Sequence, residues 1–190
     1  MNRVKGFSLV EMAIVLTVFS LMMGGMLVPL AKQVQFKREQ EARRQLSNII
    51  EALYGYALIH NRLPAPINGD ELPWNQLGAP QTDPWGNPWR YRVSGNTDPC
   101  APPQSIQVKT DSGEVVKVVA VVLSGGKRQF CGGAEAENCD GDNVFVEKDP
   151  SPERFDDLLA WVHPTTLKNR ATLAGLCHDS GDDDVEDEDD

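Results

Sequence analysis

A run of 25 residues from Phe7 to Ala31 contains one ionisable side chain, Glu11, and no other feature limits the chain so strongly. At about 1.5 Å per residue, a helix of that length covers a hydrocarbon core roughly 30 Å thick, so the run is predicted to span a membrane. A secretory signal would have a shorter apolar region followed by an Ala-x-Ala-like site. Here the small residue, Gly6, precedes the run, and nothing of that kind follows Leu30. Any cleavage therefore falls before the helix. A carboxylate inside a bilayer costs roughly 2.5 to 3.5 kcal/mol on insertion scales, so Glu11 calls for a cation. The plainer reading is an ordinary anchor whose Glu11 reaches interfacial water.

Lys5, Gly6, Phe7, Ser8, Leu9, Val10 and Glu11 resemble the class III leader of type IV pilins and type II secretion pseudopilins. In that family a dedicated membrane peptidase and methyltransferase cuts after the Gly and methylates the new amino-terminal Phe. The resemblance implies that Phe7 becomes the first residue of the mature chain. It also implies that Glu11 neutralises a Phe7 ammonium, its own or a neighbouring subunit's, as helices bundle in a filament. Such a pair must first offset the desolvation of both ions, so it specifies register more than it adds stability.

With 190 residues and neither internal repeats nor a second apolar span, the chain is expected to form one modest domain on a stalk. The expected organisation is a leader at 1–6, a transmembrane and assembly helix at 7–31, its amphipathic continuation at 32–60, a globular head at 61–177 and an acidic tail at 178–190. The net charge of −10 belongs to that tail, because nine of the 28 acids lie between Asp179 and Asp190. A run of this kind repels itself and cannot bury a core, so disorder is expected there. The balance gives no support for nucleic-acid binding.

Lys32, Lys37, Arg38, Arg43 and Arg44 follow the span, whereas Arg3, Lys5 and the starting amine precede it. The positive-inside rule alone would keep the head in the cytoplasm. The leader overrules it, since the peptidase that reads such leaders acts at the cytoplasmic face. The head is therefore expected in the periplasm, on a single pass through the inner membrane. Cys100, Cys131, Cys139 and Cys177 form an even set outside the span, which suits an oxidising compartment and one or two disulfides with three complete connectivities. The nearest pair, Cys131 with Cys139, would close a Gly-rich loop. A zinc site is disfavoured because no Cys-x-x-Cys pair is present.

Leu46, Ile49, Ile50, Leu53, Tyr54 and Ala57 fall at helical spacing on one stripe. The helix is predicted to run from about Phe7 to His60 and to stop before Leu63-Pro64. Gly24, Gly25 and Pro29 predict a bend or a melted turn in its first half. In Asp83-Pro84-Trp85-Gly86-Asn87-Pro88-Trp89-Arg90-Tyr91 a turn leads into a strand, with Trp89 and Tyr91 on one face. The segment resembles a stretch of major pseudopilins and minor pilins that pins the loop after the long helix to the sheet. A sugar-binding aromatic platform is the alternative. Ser105 to Lys109 and Val115 to Leu123 read as a hairpin joined at Asp111-Ser112-Gly113, the second strand being central and covered by the helix. A short strand is predicted at Asn143 to Glu147. Phe155, Leu158, Leu159 and Val162 sit at helical spacing, although a strand fits them too, and Pro164 opens a short helix.

Enzymatic chemistry is hard to find. Ser124-Gly125-Gly126-Lys127 fails the phosphate-loop pattern, and Cys139-Asp140-Gly141-Asp142-Asn143 fails the EF-hand pattern. Major pseudopilins hold calcium late in the head. That resemblance makes Asp140 and Asp142, helped by Asn143 or Asp98, candidate calcium ligands; no other cofactor is implied. His60, His163 and His178 complete no visible triad. The fold expected is α+β and pilin-like: a long amino-terminal helix, half transmembrane and half amphipathic, packed on a small antiparallel sheet. The function expected is a non-enzymatic minor pilin or pseudopilin of a type IV pilus or type II secretion filament. Its partners would be the prepilin peptidase, other pilins or pseudopilins, and the inner membrane. The competing class is a single-pass anchored periplasmic enzyme or binding module.

Overall fold

The computed structural model describes residues 8–95, 98–129, 131–151 and 154–177, leaving aside the side chains of 23–31. The expected cleavage site at Gly6 and Phe7, His178 and the acidic tail lie outside the described residues. One helix, α1 (Leu9–His60), is shared by two compact units: its part up to Gln40 forms one, and its part from Glu41 belongs to the other. α1 continues as helix through Gly24, Gly25 and Pro29, so the expected melted turn is absent. Proline removes a single backbone donor, and a helix of 52 residues has intact turns on both sides to hold it. Among the described residues no helix is long and apolar enough to cross a membrane. The described apolar side chains, Leu9 to Met22, account for about 21 Å of helical rise.

α1 ends where expected. His60 is followed by Asn61 in the left-handed region, φ 53°, a conformation Asn tolerates better than most residues, and Pro64 prevents resumption. From Ala42 onward one stripe is buried: Ala42, Leu46, Ile49, Leu53, Tyr54 and Ala57. It packs against Trp89, Tyr91, Val119, Ala120, Val122, Leu158, Val162 and Leu167. The predicted stripe is therefore real, and Ala42 extends it by one turn.

After the short helix α2 (Trp74–Leu77), the head contains β1 (Arg90–Val93), β2 (Ile106–Lys109), β3 (Val115–Val118), β4 (Ala120–Ser124), β5 (Val144–Val146), β6 (Leu158–Val162) and α3 (Pro164–Leu173). These form two three-stranded sheets rather than one. The first is antiparallel in the order β1-β4-β6; the second has the order β3-β2-β5. β2 and β3 make the predicted hairpin, with Gly113 at φ 83° in the turn. β2 and β5 run parallel, which corrects the expectation of a purely antiparallel sheet.

The continuous strand expected over Val115 to Leu123 is also corrected. It breaks at Val119, and its halves enter different sheets. Strict alternation would put Val118 on one face with Ala120 and Val122. Instead Val118 shares a core with Val121, Leu123, Ile106, Val108 and Phe145, while Val119, Ala120 and Val122 face α1. A one-residue slip at Val119, as in a bulge, flips the side-chain set and bends the chain from one sheet to the other. Val119 bridges the junction, donating its N–H to Val162 O at 3.0 Å and accepting from Ser94 N at 2.9 Å.

Leu158 to Val162, whose spacing also fitted a helix, is a strand. Leu158, Ala160 and Val162 pack toward α1, and Leu159 and Trp161 pack toward the second sheet. That two-residue period is what the free edge of β4 demands. α3 opens with Pro164, as predicted, and buries Leu167 and Ala171. Its Arg170 reaches back to Glu51 with two bonds of 2.7 and 2.9 Å and covers the Tyr54 ring at 4.3 Å.

Two disulfides close the head, Cys131–Cys139 and Cys100–Cys177, with sequence separations of 8 and 77. In the chain-entropy account the longer loop removes more freedom from the unfolded chain. Replacing Cys100 and Cys177 by Ser is expected to cost about 4.5 kcal/mol, and replacing Cys131 and Cys139 about 2.5 kcal/mol. Denaturant unfolding followed by tryptophan emission measures both; the reverse order would contradict this account.

Candidate functional site

The amino-terminal helix begins at Leu9, and Glu11 lies in its first turn, exposed. A carboxylate is favoured there by the unsatisfied N–H groups and the positive end of the helix dipole. Around it, Leu9, Val10, Met12, Ile14, Val15, Leu16, Val18, Phe19, Leu21 and Met22 are all exposed, so the helix is apolar on every side. Its two hydroxyls turn inward on the backbone: Thr17 donates to Ala13 O at 2.7 Å and Ser20 to Leu16 O at 2.8 Å. A helix apolar all round, with its polar groups satisfied internally, suits an environment without water. Glu11 is the one charged group in this described stretch.

In the head, the turn at Asp83 is a pinning device. Asp83 is buried. Its Oδ1 accepts from the N–H groups of Trp85 and Asn87, both at 2.9 Å, and its Oδ2 accepts from the Ser124 hydroxyl at 2.6 Å. Asn87 donates to Gly126 O at 2.7 Å. Trp89 and Tyr91 point inward as predicted, both fully enclosed, and Tyr91 donates to Pro64 O at 3.2 Å. Burial pushes the Tyr91 hydroxyl far above its ordinary pKa. These rings are core, which removes the aromatic platform for sugars at Trp89 and Tyr91. The Ser124-Gly125-Gly126 turn is likewise structural: a Cβ on Gly126 would collide with the Asp156 carbonyl oxygen.

The four cysteines are paired as described above. Asp140 and Asp142 are exposed, and each spends a carboxylate oxygen on the N–H two residues onward, at 3.0 and 2.7 Å. Asp98 does the same for Cys100 at 2.9 Å. The structure thus gives each of these candidate calcium ligands a local turn-capping role. Among the described residues, the carboxylates that do converge are Glu135, Asp156 and Asp157, with ligand atoms within 4.8 Å of one another. Sequence reasoning missed this group, whose members lie on a 3-10 turn (Gly133–Asn138) and just before β6. The one visible signal was the Asp156-Asp157 pair abutting an apolar strand.

The cluster already contains a cation. Arg128 donates to Glu135 Oε1 at 2.8 Å and lies 3.4 Å from Asp156 Oδ1, and the Asp156 N–H also donates to Glu135 Oε1. Glu135 is fully buried, and its Oε2 has no hydrogen-bond partner among the described residues, so desolvation holds its carboxyl above the ordinary range. Asp157, 4% exposed, is pushed up to about 6, chiefly by burial and against the pull of the Asn138 amide at 2.8 Å. Asn138 also gives β5 a side-chain partner, exchanging two bonds with Val146 at 3.0 and 2.7 Å. The arrangement is a polar staple between the disulfide loop, β5 and β6, with one arginine among three acids.

A raised carboxyl pKa favours folding while the group is protonated in both states, and that advantage is lost as pH rises from the unfolded value, near 3.8, through about 6. The head is therefore expected to lose about 3 kcal/mol from Asp157 across that window. Asp157→Asn should flatten the dependence of melting temperature on pH between 4 and 7, and should melt at or above the wild-type temperature at pH 7.5. Circular dichroism melts over that range are the measurement, and an unchanged slope in the variant would contradict the assignment.

Comparison with known proteins bears on the amino terminus. Residues 1–27 match the family model of the prokaryotic N-terminal methylation motif. No curated protein and no solved structure is significantly similar to the chain. The match covers the basic leader, the expected cleavage site, Glu11 and most of the apolar run, and it supports the likeness of this amino terminus to a prepilin leader of the type IV pilin and pseudopilin kind.

Proposed function

We propose that the chain is a structural subunit, a minor pilin or pseudopilin, of a type IV pilus or type II secretion filament. It is cut by a prepilin peptidase between Gly6 and Phe7, methylated at Phe7, and polymerised through its amino-terminal helix. The observation that carries this reading is the methylation motif over residues 1–27. Before assembly, residues 7–31 cross the inner membrane, where 25 residues at about 1.5 Å each match the hydrocarbon thickness. The head then lies in the periplasm, an oxidising compartment that suits a head with two disulfides.

The chemistry of assembly is one of charge and shape. In a bundle of such helices the apolar side chains exposed from Leu9 to Met22 bury one another. The Glu11 carboxylate meets the ammonium that cleavage creates at Phe7, one turn away on its own chain or a neighbour's. An unpaired charge in that bundle costs far more than the pair contributes, so the acid selects the register in which an ammonium faces it.

Coexpression with a prepilin peptidase is expected to shorten the chain by the six leader residues and leave N-methyl-Phe at Phe7, as read by intact mass. Gly6→Leu should keep the leader; normal processing of that variant would overturn the cleavage assignment. Glu11→Leu removes an acid from the bilayer, so insertion and cleavage should persist while incorporation into filaments falls at least tenfold, about 1.4 kcal/mol or more. A processed, inserted Glu11→Leu protein that assembles at the wild-type level would show that Glu11 does not direct assembly.

A further inference from the structure

In the head, several cations have an acidic neighbour: Arg44 pairs with Glu41, Arg90 with Asp70, Lys109 with Glu137 and Arg170 with Glu51. Lys32, Lys37 and Arg38 are exposed, and none makes an ion pair or side-chain hydrogen bond among the described residues. No acid lies between Met12 and Arg38. Interleaved with these cations, Val34 and Phe36 are 53% and 59% exposed.

Their placement along the helix is specific. Lys32 directly follows the apolar run, so Lys32 to Arg38 rises about 9 Å beyond its end, comparable with one headgroup layer of a bilayer. The exposed Phe36 ring lies at the same depth. At about 100° per residue, Lys32, Lys37 and Arg38 point in three directions around the axis, near 0°, 140° and 240°. A protein partner would engage one face. A layer of anionic groups surrounding the helix engages all of them. The bases also oppose export of the head under the positive-inside rule, an opposition this chain tolerates.

We infer that Lys32, Lys37 and Arg38, with Phe36, form a collar that binds the phosphate headgroups of anionic phospholipids around the helix before it enters a filament. The inference rests on the proposed membrane insertion of residues 7–31. The collar holds the subunit at a fixed depth, with its cations on lipid phosphates and Phe36 among the headgroups. Entry into a filament then exchanges these lipids for neighbouring helices.

The test uses the full-length protein in mild detergent, incubated with equimolar phosphatidylglycerol and phosphatidylcholine and repurified, with bound lipid quantified by mass spectrometry. The wild type is expected to retain the anionic lipid at least about tenfold over the zwitterionic one, falling toward parity at high salt. A K32Q/K37Q/R38Q variant should bind both lipids equally, and Phe36→Ala should lower total lipid with the preference kept. Equal retention by the wild type, or an undiminished preference in the triple variant, overturns the collar alone. Retention of neither lipid overturns the membrane reading and the collar with it. If the wild type shows no preference while the triple variant fails to enter filaments, the three cations serve acids of a partner subunit and the lipid assignment is wrong.

Discussion

The head depends on the double burial of one strand. β4 is enclosed along its whole length: Ala120 and Val122 face α1, and Val121 and Leu123 face the second sheet. Apolar residues on both faces of a strand force two covering layers, here a helix on one side and a sheet on the other. The backbone groups of β4 are satisfied by β1 on one edge and β6 on the other. Remove either layer and a row of valines meets water. The stripe from Ala42 to Ala57, the hairpin of β2 and β3, and the late strand β6 all exist to cover or pair this strand.

Polar groups then fasten the loops to that core. Asp83 turns its carboxylate onto two backbone N–H groups and the Ser124 hydroxyl, which ties the loop before β1 to the end of β4. Asn138 substitutes its side-chain amide for a neighbouring strand at Val146 and also holds Asp157. Each of these buried groups has a partner, as burial requires. The cluster of Glu135, Asp156 and Asp157 is different, because Arg128 pairs with only Glu135 and Asp156, and Glu135 Oε2 has no partner among the described residues. Burial there raises carboxyl pKa values instead of supplying more cations.

The amino-terminal helix obeys the opposite logic. Among the described residues, its side chains from Leu9 to Met22 have no partner layer and remain exposed all round. Thr17 and Ser20 satisfy their own hydroxyls on the preceding turn. What covers these residues must come from outside, first lipid and then other subunits in the proposed function. Glu11 and the cations Lys32, Lys37 and Arg38, which have no ion pair among the described residues, sit near the two ends of the apolar run.

Much of this was legible along the chain, because the determining patterns are local. The leader and apolar run identified the amino terminus, the spacing from Leu46 to Ala57 located the buried stripe of α1, and the Asn61 to Pro64 region marked its end. Pro164 and the turn at Gly113 placed α3 and the β2–β3 hairpin for the same reason: capping, ring constraints and positive φ act over a few residues. The break at Val119 was not legible, since six valines in the run from Val115 to Val122 suit one central strand equally well. Only the competition of two sheets for those side chains forces the one-residue slip. Leu158 to Val162 satisfied helical and extended spacing alike, and the free edge of β4 decided for a strand. The acid cluster escaped for a related reason: Arg128, Glu135, Asp156 and Asp157 are separated along the chain and meet only when the disulfide loop folds against the start of β6. The sequence by itself determined where the chain is apolar and where it must turn; tertiary structure decided which apolar surfaces face each other and which charges share one buried space, because both follow from contacts between residues far apart in the chain.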